Sequence, residues 1–186
     1  MIKLNKLFIG IFIILFSNLS CSQKMDNELN ISPKIFENKD TEKVFETIVD
    51  EIYNRKIDFE NIKNFENPIK NLIYIFDMDG QVSNGGVIQF VDNSTGDHFE
   101  ETLLALKEIK AVEYVKILED VKSHFPNGYI PNNTEIRRNL IDSLAEKLTQ
   151  EEHWELEETY EKYDTQYYSN EKKLHQYVIE YLRKSI

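Results

Sequence analysis

Apolar residues recur along this chain at helical spacing, three and four positions apart, and nowhere alternate with period two over a useful length. Val44, Phe45, Ile48, Val49, Ile52 and Tyr53 form one stripe, opened by Asp40-Thr41 as a plausible cap. Pro68 suits the first turn of a helix, and Ile69, Leu72, Ile73, Ile75 and Phe76 follow it. Phe99, Leu103, Leu106 and Ile109 make a further stripe within a long helical run. Tyr114, Ile117, Leu118, Val121 and Phe125 make the next, which Pro126-Asn127-Gly128 ends. Ile136, Leu140, Ile141, Leu144 and Leu148 face one way. Thr149-Gln150-Glu151-Glu152 has the form of a capping box opening a helix with Leu156, Tyr160, Tyr163 and Tyr167 on its apolar side. A last helix carries Leu174, Tyr177, Val178, Tyr181 and Leu182. The pattern predicts an all-α fold, a compact single domain of about seven helices spanning residues 41–186.

The centre of the chain is Ser83-Asn84-Gly85-Gly86-Val87-Ile88-Gln89-Phe90. Adjacent glycines between apolar segments predict a sharp corner at Asn84, Gly85 and Gly86, with one glycine in a conformation closed to other residues. A second break is expected at Asn93-Ser94-Thr95-Gly96. Asp97, Glu100 and Glu101 then fall where carboxylates complement a helix dipole.

Asn84-Gly85-Gly86, Gln89-Phe90, Asn93-Ser94, Gly96-Asp97 and the run Glu100 to Ile109, with Phe125-Pro126 and Gly128 and the region around Trp154, resemble the DNA mimic protein 19-like family over roughly residues 41–184. The namesake of that family resembles duplex DNA in charge and binds DNA-binding proteins. The resemblance implies a non-enzymatic, acidic domain that binds protein and needs no cofactor.

Residues 1–21 read as a targeting segment. Lys3 and Lys6 precede the apolar run Leu7 to Phe16, which is too short for a comfortable membrane span. Ser20-Cys21-Ser22 follows, so the segment looks like a bacterial lipoprotein signal with lipidation at Cys21. The expected location is the bacterial cell envelope, with the protein exported and lipid-anchored to a membrane. Cys21 is the sole cysteine, which leaves an exported chain without an intrachain disulfide and dependent on its hydrophobic core. Residues 22–40 are polar and read as a tether.

The formal charge is −11, and removing residues 1–21, with two lysines and no acidic residue, makes it −13. That balance speaks against direct nucleic-acid binding and for a basic protein as partner. Acidic density peaks where Glu151, Glu152, Glu155, Glu157, Glu158, Glu161 and Asp164 stand against Lys162 alone. Trp154 falls opposite the apolar side of that helix. Three readings compete: a solvated acidic face, a partner site with Trp154 as anchor among Glu151, Glu155 and Glu158, or Trp154 buried against another helix.

Catalytic signals are sparse. His98, His124, His153 and His175 lie on separate segments without metal-ligand spacing, so no metal site is expected. Tyr74-Ile75-Phe76-Asp77-Met78-Asp79-Gly80 is similar to the first motif of haloacid-dehalogenase-type phosphatases, in which a buried strand delivers a nucleophilic and an acid/base aspartate beside Mg²⁺. A phosphatase using Asp77 and Asp79 is the alternative. Gln81 after the motif and the absence of further strand patterns weigh against it, and the aspartates are otherwise expected near a helix end.

Overall fold

The apolar segment after Pro68 is the axis on which most of the other described helices pack. The computed structural model describes residues 31–54 and 61–186. Among these residues the protein is all-α, with helices α1 (Thr41–Asn54), α2 (Asn67–Asp92), α3 (Phe99–Glu108), α4 (Val112–Ser123), α5 (Thr134–Ala145), α6 (Gln150–Ser169) and α7 (Glu171–Ser185). Cys21 and the targeting segment lie outside the described residues. No described helix is long and apolar enough to cross a membrane.

α2 buries residues on nearly every side, including Leu72, Ile75, Met78, Val82, Val87 and Phe90. A helix apolar all round must be covered all round, and α1, α3, α5, α6 and α7 all contact it. α1 supplies Val44, Phe45, Ile48 and Ile52 from the stripe expected for it. α7 closes the core with Leu174, Val178, Ile179 and Leu182.

Three boundaries differ from the sequence expectation. The packed unit begins before Thr41: Ile31 is buried, and a 3₁₀ turn at Pro33–Glu37 contacts α7, with Arg183 over the Phe36 ring at 5.6 Å. Only the earlier part of the 22–40 segment is left as a candidate tether. The expected corner at Asn84-Gly85-Gly86 is a kink inside α2. Asn84 stays helical and donates from Nδ2 to the Gly80 carbonyl at 2.8 Å, while Gly86 takes φ 78°. Gly85, at φ −166°, is in extended backbone that any residue adopts. The long helix expected from Phe99 divides in two at Lys110, which holds φ 65° without any glycine or proline nearby. There the Ala111 N–H bonds the Leu106 carbonyl at 2.9 Å and the Lys110 N–H bonds that of Lys107 at 3.1 Å. This is the Schellman ending of a helix, with lysine where glycine is usual.

Candidate interaction site on helix α6

α6 starts where its sequence says it should. The Glu152 N–H donates to Thr149 Oγ1 at 3.3 Å, and the Thr149 N–H donates to Glu152 Oε2 at 2.7 Å, completing the capping box. The Thr149 N–H, and after it the Thr149 hydroxyl at 2.8 Å, donate to Glu152 Oε2 and hold that carboxyl below its ordinary range.

The inward side of α6 docks through tyrosines. The Tyr167 hydroxyl donates to Asp79 Oδ1 at 2.7 Å, the Tyr168 hydroxyl donates to the Val82 carbonyl at 2.6 Å, and the Tyr163 hydroxyl lies 3.1 Å from His124 Nε2. Burial pushes the Tyr160 hydroxyl up to about 12, with Tyr163 adding to the shift. At the kink in α2, Asp164 Oδ1 accepts the Val87 N–H at 2.7 Å.

The outward side is different in kind. Glu151, Trp154, Glu155 and Glu158 are spaced i, i+3, i+4 and i+7, which places them on one helical face. All four are exposed, and the indole stands 59% open to solvent. The reading in which Trp154 is buried between helices is therefore removed. A large apolar ring stands in water among carboxylates and contributes nothing to the core.

Asp77 and Asp79 are not brought together. Both lie inside α2, well away from a helix end, and two residues along a helix turn a side chain by about 200°. Asp79 meets Tyr167, while Asp77 lies by Ile52, Tyr53 and Phe76. The phosphatase motif needs both at the end of a strand, and no strand occurs among the described residues. Burial pushes the Asp77 carboxyl up to about 6. It also raises that of Asp79, against the lowering effect of the Tyr167 hydrogen bond and of His175. No group of three His, Cys, Asp or Glu able to hold a metal ion occurs among the described residues.

One residue was hidden in the sequence pattern. On α5 the inward position near the start of the helix belongs to Arg137, fully buried, while the neighbouring Ile136 is 61% exposed. Arg137 donates from Nε to the Val91 carbonyl, from Nη2 to the Asn93 carbonyl at 2.7 Å, and from Nη1 to the Pro131 carbonyl at 2.7 Å and to Asp97 Oδ1 at 2.8 Å. These acceptors lie at the end of α2 and in the loops beyond it, so the site demands donors rather than a hydrocarbon. The Asn93-Ser94-Thr95-Gly96-Asp97 segment serves the same arrangement. A Cβ on Gly96 would lie within 3.0 Å of the Phe90 and Val91 carbonyls and of Arg137 Nη2. An arginine at the head of the stripe continued by Leu140, Ile141, Leu144 and Leu148 was the available signal.

Among the described residues the protein is an all-α domain in which one helix presents an exposed tryptophan among carboxylates. The DMP19-like protein family profile matches residues 63–185, and the chain belongs to that family. No curated protein and no solved structure matches the chain.

Proposed function

We propose that the domain acts by binding a basic protein rather than by catalysis, and that the outer face of α6 makes the contact. The carrying observation is the exposed Trp154 on the same face as Glu151, Glu155 and Glu158. Exposed large aromatics flanked by charge are the groups that anchor protein interfaces. The carboxylates act chiefly through their summed field, which raises the association rate, while each exposed pair adds only about 0–1 kcal/mol. The apolar Leu7 to Phe16 run, followed by Ser20-Cys21-Ser22, supports a location in the bacterial envelope with the chain anchored through lipid at Cys21. Under that reading the partner is not a transcription factor, because an exported protein does not meet one.

The test is capture of partners by the immobilised chain, followed by kinetics on the captured protein. Replacing Glu151, Glu155 and Glu158 with Gln should slow association and flatten its salt dependence. Trp154→Ala should mainly speed dissociation. Unchanged binding by both variants would remove α6 from the interface. Membrane fractionation of Cys21→Ser tests the anchor: a variant that is still processed and still sediments with membranes contradicts it.

A further inference from the structure

α5 does not bury the stripe its sequence carries. Arg137 is its sole buried side chain, while Leu140, Ile141, Leu144 and Leu148 remain half-buried. That stripe faces α6 across an open groove of about 460 Å³, lined by Ile88, Ile141, Leu144, Leu148, Leu156 and Tyr160. Ile88, from the short helical piece beyond the α2 kink, is 40% exposed. Two helices therefore present apolar surface to the same space without filling it. An apolar groove between helices is the form that receives the apolar face of a third.

Charge selects the occupant. Glu152 and Glu155 line the groove on the α6 side, and Glu151 and Glu158 extend the acidic surface beyond it; Lys147 is the single lysine in the lining. A second copy would bring its own formal charge of −11 against this rim. Residues 22–30 of the same chain offer Asp26 and Glu28 against Lys24, with Met25 and Leu29 as scattered apolar residues, so they present neither a basic flank nor an anchor series. We infer that the α5–α6 groove docks a basic amphipathic helix of a partner protein. Its leucine-type side chains, spaced i, i+3, i+4 and i+7, fill the space between Leu144 and Leu156. Its lysines or arginines meet Glu155 and the carboxylates beyond. The helical part of the stripe, Ile141 to Ala145, rises about 6 Å, so about one turn of the partner lies against it. The inference rests on the proposed binding of a basic protein and assigns the structural class of that partner.

The probe is a synthetic peptide of about 14 residues, four helical turns, with leucine at the anchor positions and lysine on the remaining face. Titrated into the full chain, it should gain helical circular dichroism on binding, with affinity falling as salt is raised. Ala145→Trp, which puts an indole into the groove, should weaken binding about tenfold or more. Leu156→Gln should weaken it in the same direction, with the melting temperature of each variant checked separately. A peptide of identical composition with its leucines scrambled should bind far more weakly. Equal binding of the scrambled peptide overturns the groove while leaving the acidic surface as the partner site. Equal binding of a version with glutamate in place of lysine overturns the charge selection. Failure of both basic peptides to bind overturns the inference, and so does a dimer in sedimentation that Ala145→Trp dissociates, since the groove would then belong to a second copy.

Discussion

Asp164 on α6 caps a helix that begins at Val87, 77 residues earlier in the chain, by accepting its backbone N–H at 2.7 Å. The kink at Gly86 interrupts the hydrogen-bonding ladder of α2 and so creates a new helix start inside a buried element, and such a start needs acceptors for its N–H groups. Asp164 performs the role that an N-cap side chain normally performs from the adjacent residue. Gly86 is required twice over, because its φ of 78° disfavours side chains and because a Cβ there would collide with the Asp164 carboxylate. Gly86→Ala should cost about 1–3 kcal/mol through strain and further stability through the displaced cap. Gly85→Ala should cost less, since the atoms it would meet belong to the Gln89 side chain. In urea unfolding, Gly86→Ala and Asp164→Ala should be clearly non-additive, because both act on one hydrogen bond. Additive effects would separate the glycine from the cap.

Arg137 is a buried cation whose acceptors are three carbonyls, Asp97 and, at 3.5 Å, the Thr134 hydroxyl. Removing it strands those acceptors and leaves Asp97 without its ion pair. Arg137→Met should therefore lose about 3 kcal/mol or more in chemical denaturation, since each buried acceptor left unsatisfied costs about 1–3 kcal/mol. Arg137→Lys should recover only part of the loss, because an ammonium cannot span the same set of acceptors. A fully stable lysine variant would reduce the role of Arg137 to simple charge.

Asp77 predicts an unusual pH dependence. Its folded-state carboxyl is raised to about 6 from 3.8, so the folded protein binds this proton more tightly than the unfolded chain does. The stabilisation is fully present below about pH 3.8 and is lost as pH rises through 6. Asp77→Asn, uncharged throughout, should be more stable than the parent at pH 7.5 by about 1 kcal/mol, a value reduced for the carboxylate's partial contact with solvent. Near pH 4 the advantage should vanish. Denaturation curves at the two pH values check this, and a constant difference between the proteins would count against burial as the cause.

Lys110 occupies a glycine position at the end of α3. Its φ of 65° carries the penalty of a side chain in the left-handed region. Lys110→Gly should stabilise by about 0.5–1 kcal/mol after the extra entropy of glycine in the unfolded chain is set against it. A thermal melt is sufficient to see the effect, and a lower melting temperature would show that the lysine side chain contributes more than its backbone costs.

Features written in neighbouring residues were legible in the sequence. The Thr149–Glu152 capping box depends on four consecutive residues and is present as read. The stripes of α1, α4 and α7 are likewise local patterns with one buried face. The glycine pair announced a break, but its nature depended on Asp164 arriving from a distant helix, so a corner was expected where the structure has a kink. Register on α5 failed for a related reason. Ile136 is the more apolar residue, yet the carbonyls around Arg137 belong to segments more than forty residues away for Val91 and Asn93, and they decide which side chain turns inward. The division at Lys110 had no breaker residue to mark it. At the α6 site, the position of Trp154 opposite the tyrosines was readable from helical spacing, whereas the groove beside it depends on how α5 and α6 are placed in three dimensions.

The clasp at Arg137 also has a kinetic consequence. α5 is fastened near its N-terminal end by a buried guanidinium, while the hydrocarbon that follows is only partly covered. Its release requires parting a hydrogen-bond network at one end rather than dissolving the core around α2. Segments of that sort open below the free energy of global unfolding, and their amide protons exchange by a separate, lower-energy route. Hydrogen exchange should find α5 with the weakest protection of the seven described helices, apart from frayed ends. A bound helix lying along its stripe should slow that exchange selectively, so that occupancy of the groove can be read from the amides of Ile141 to Ala145 without any label on the partner.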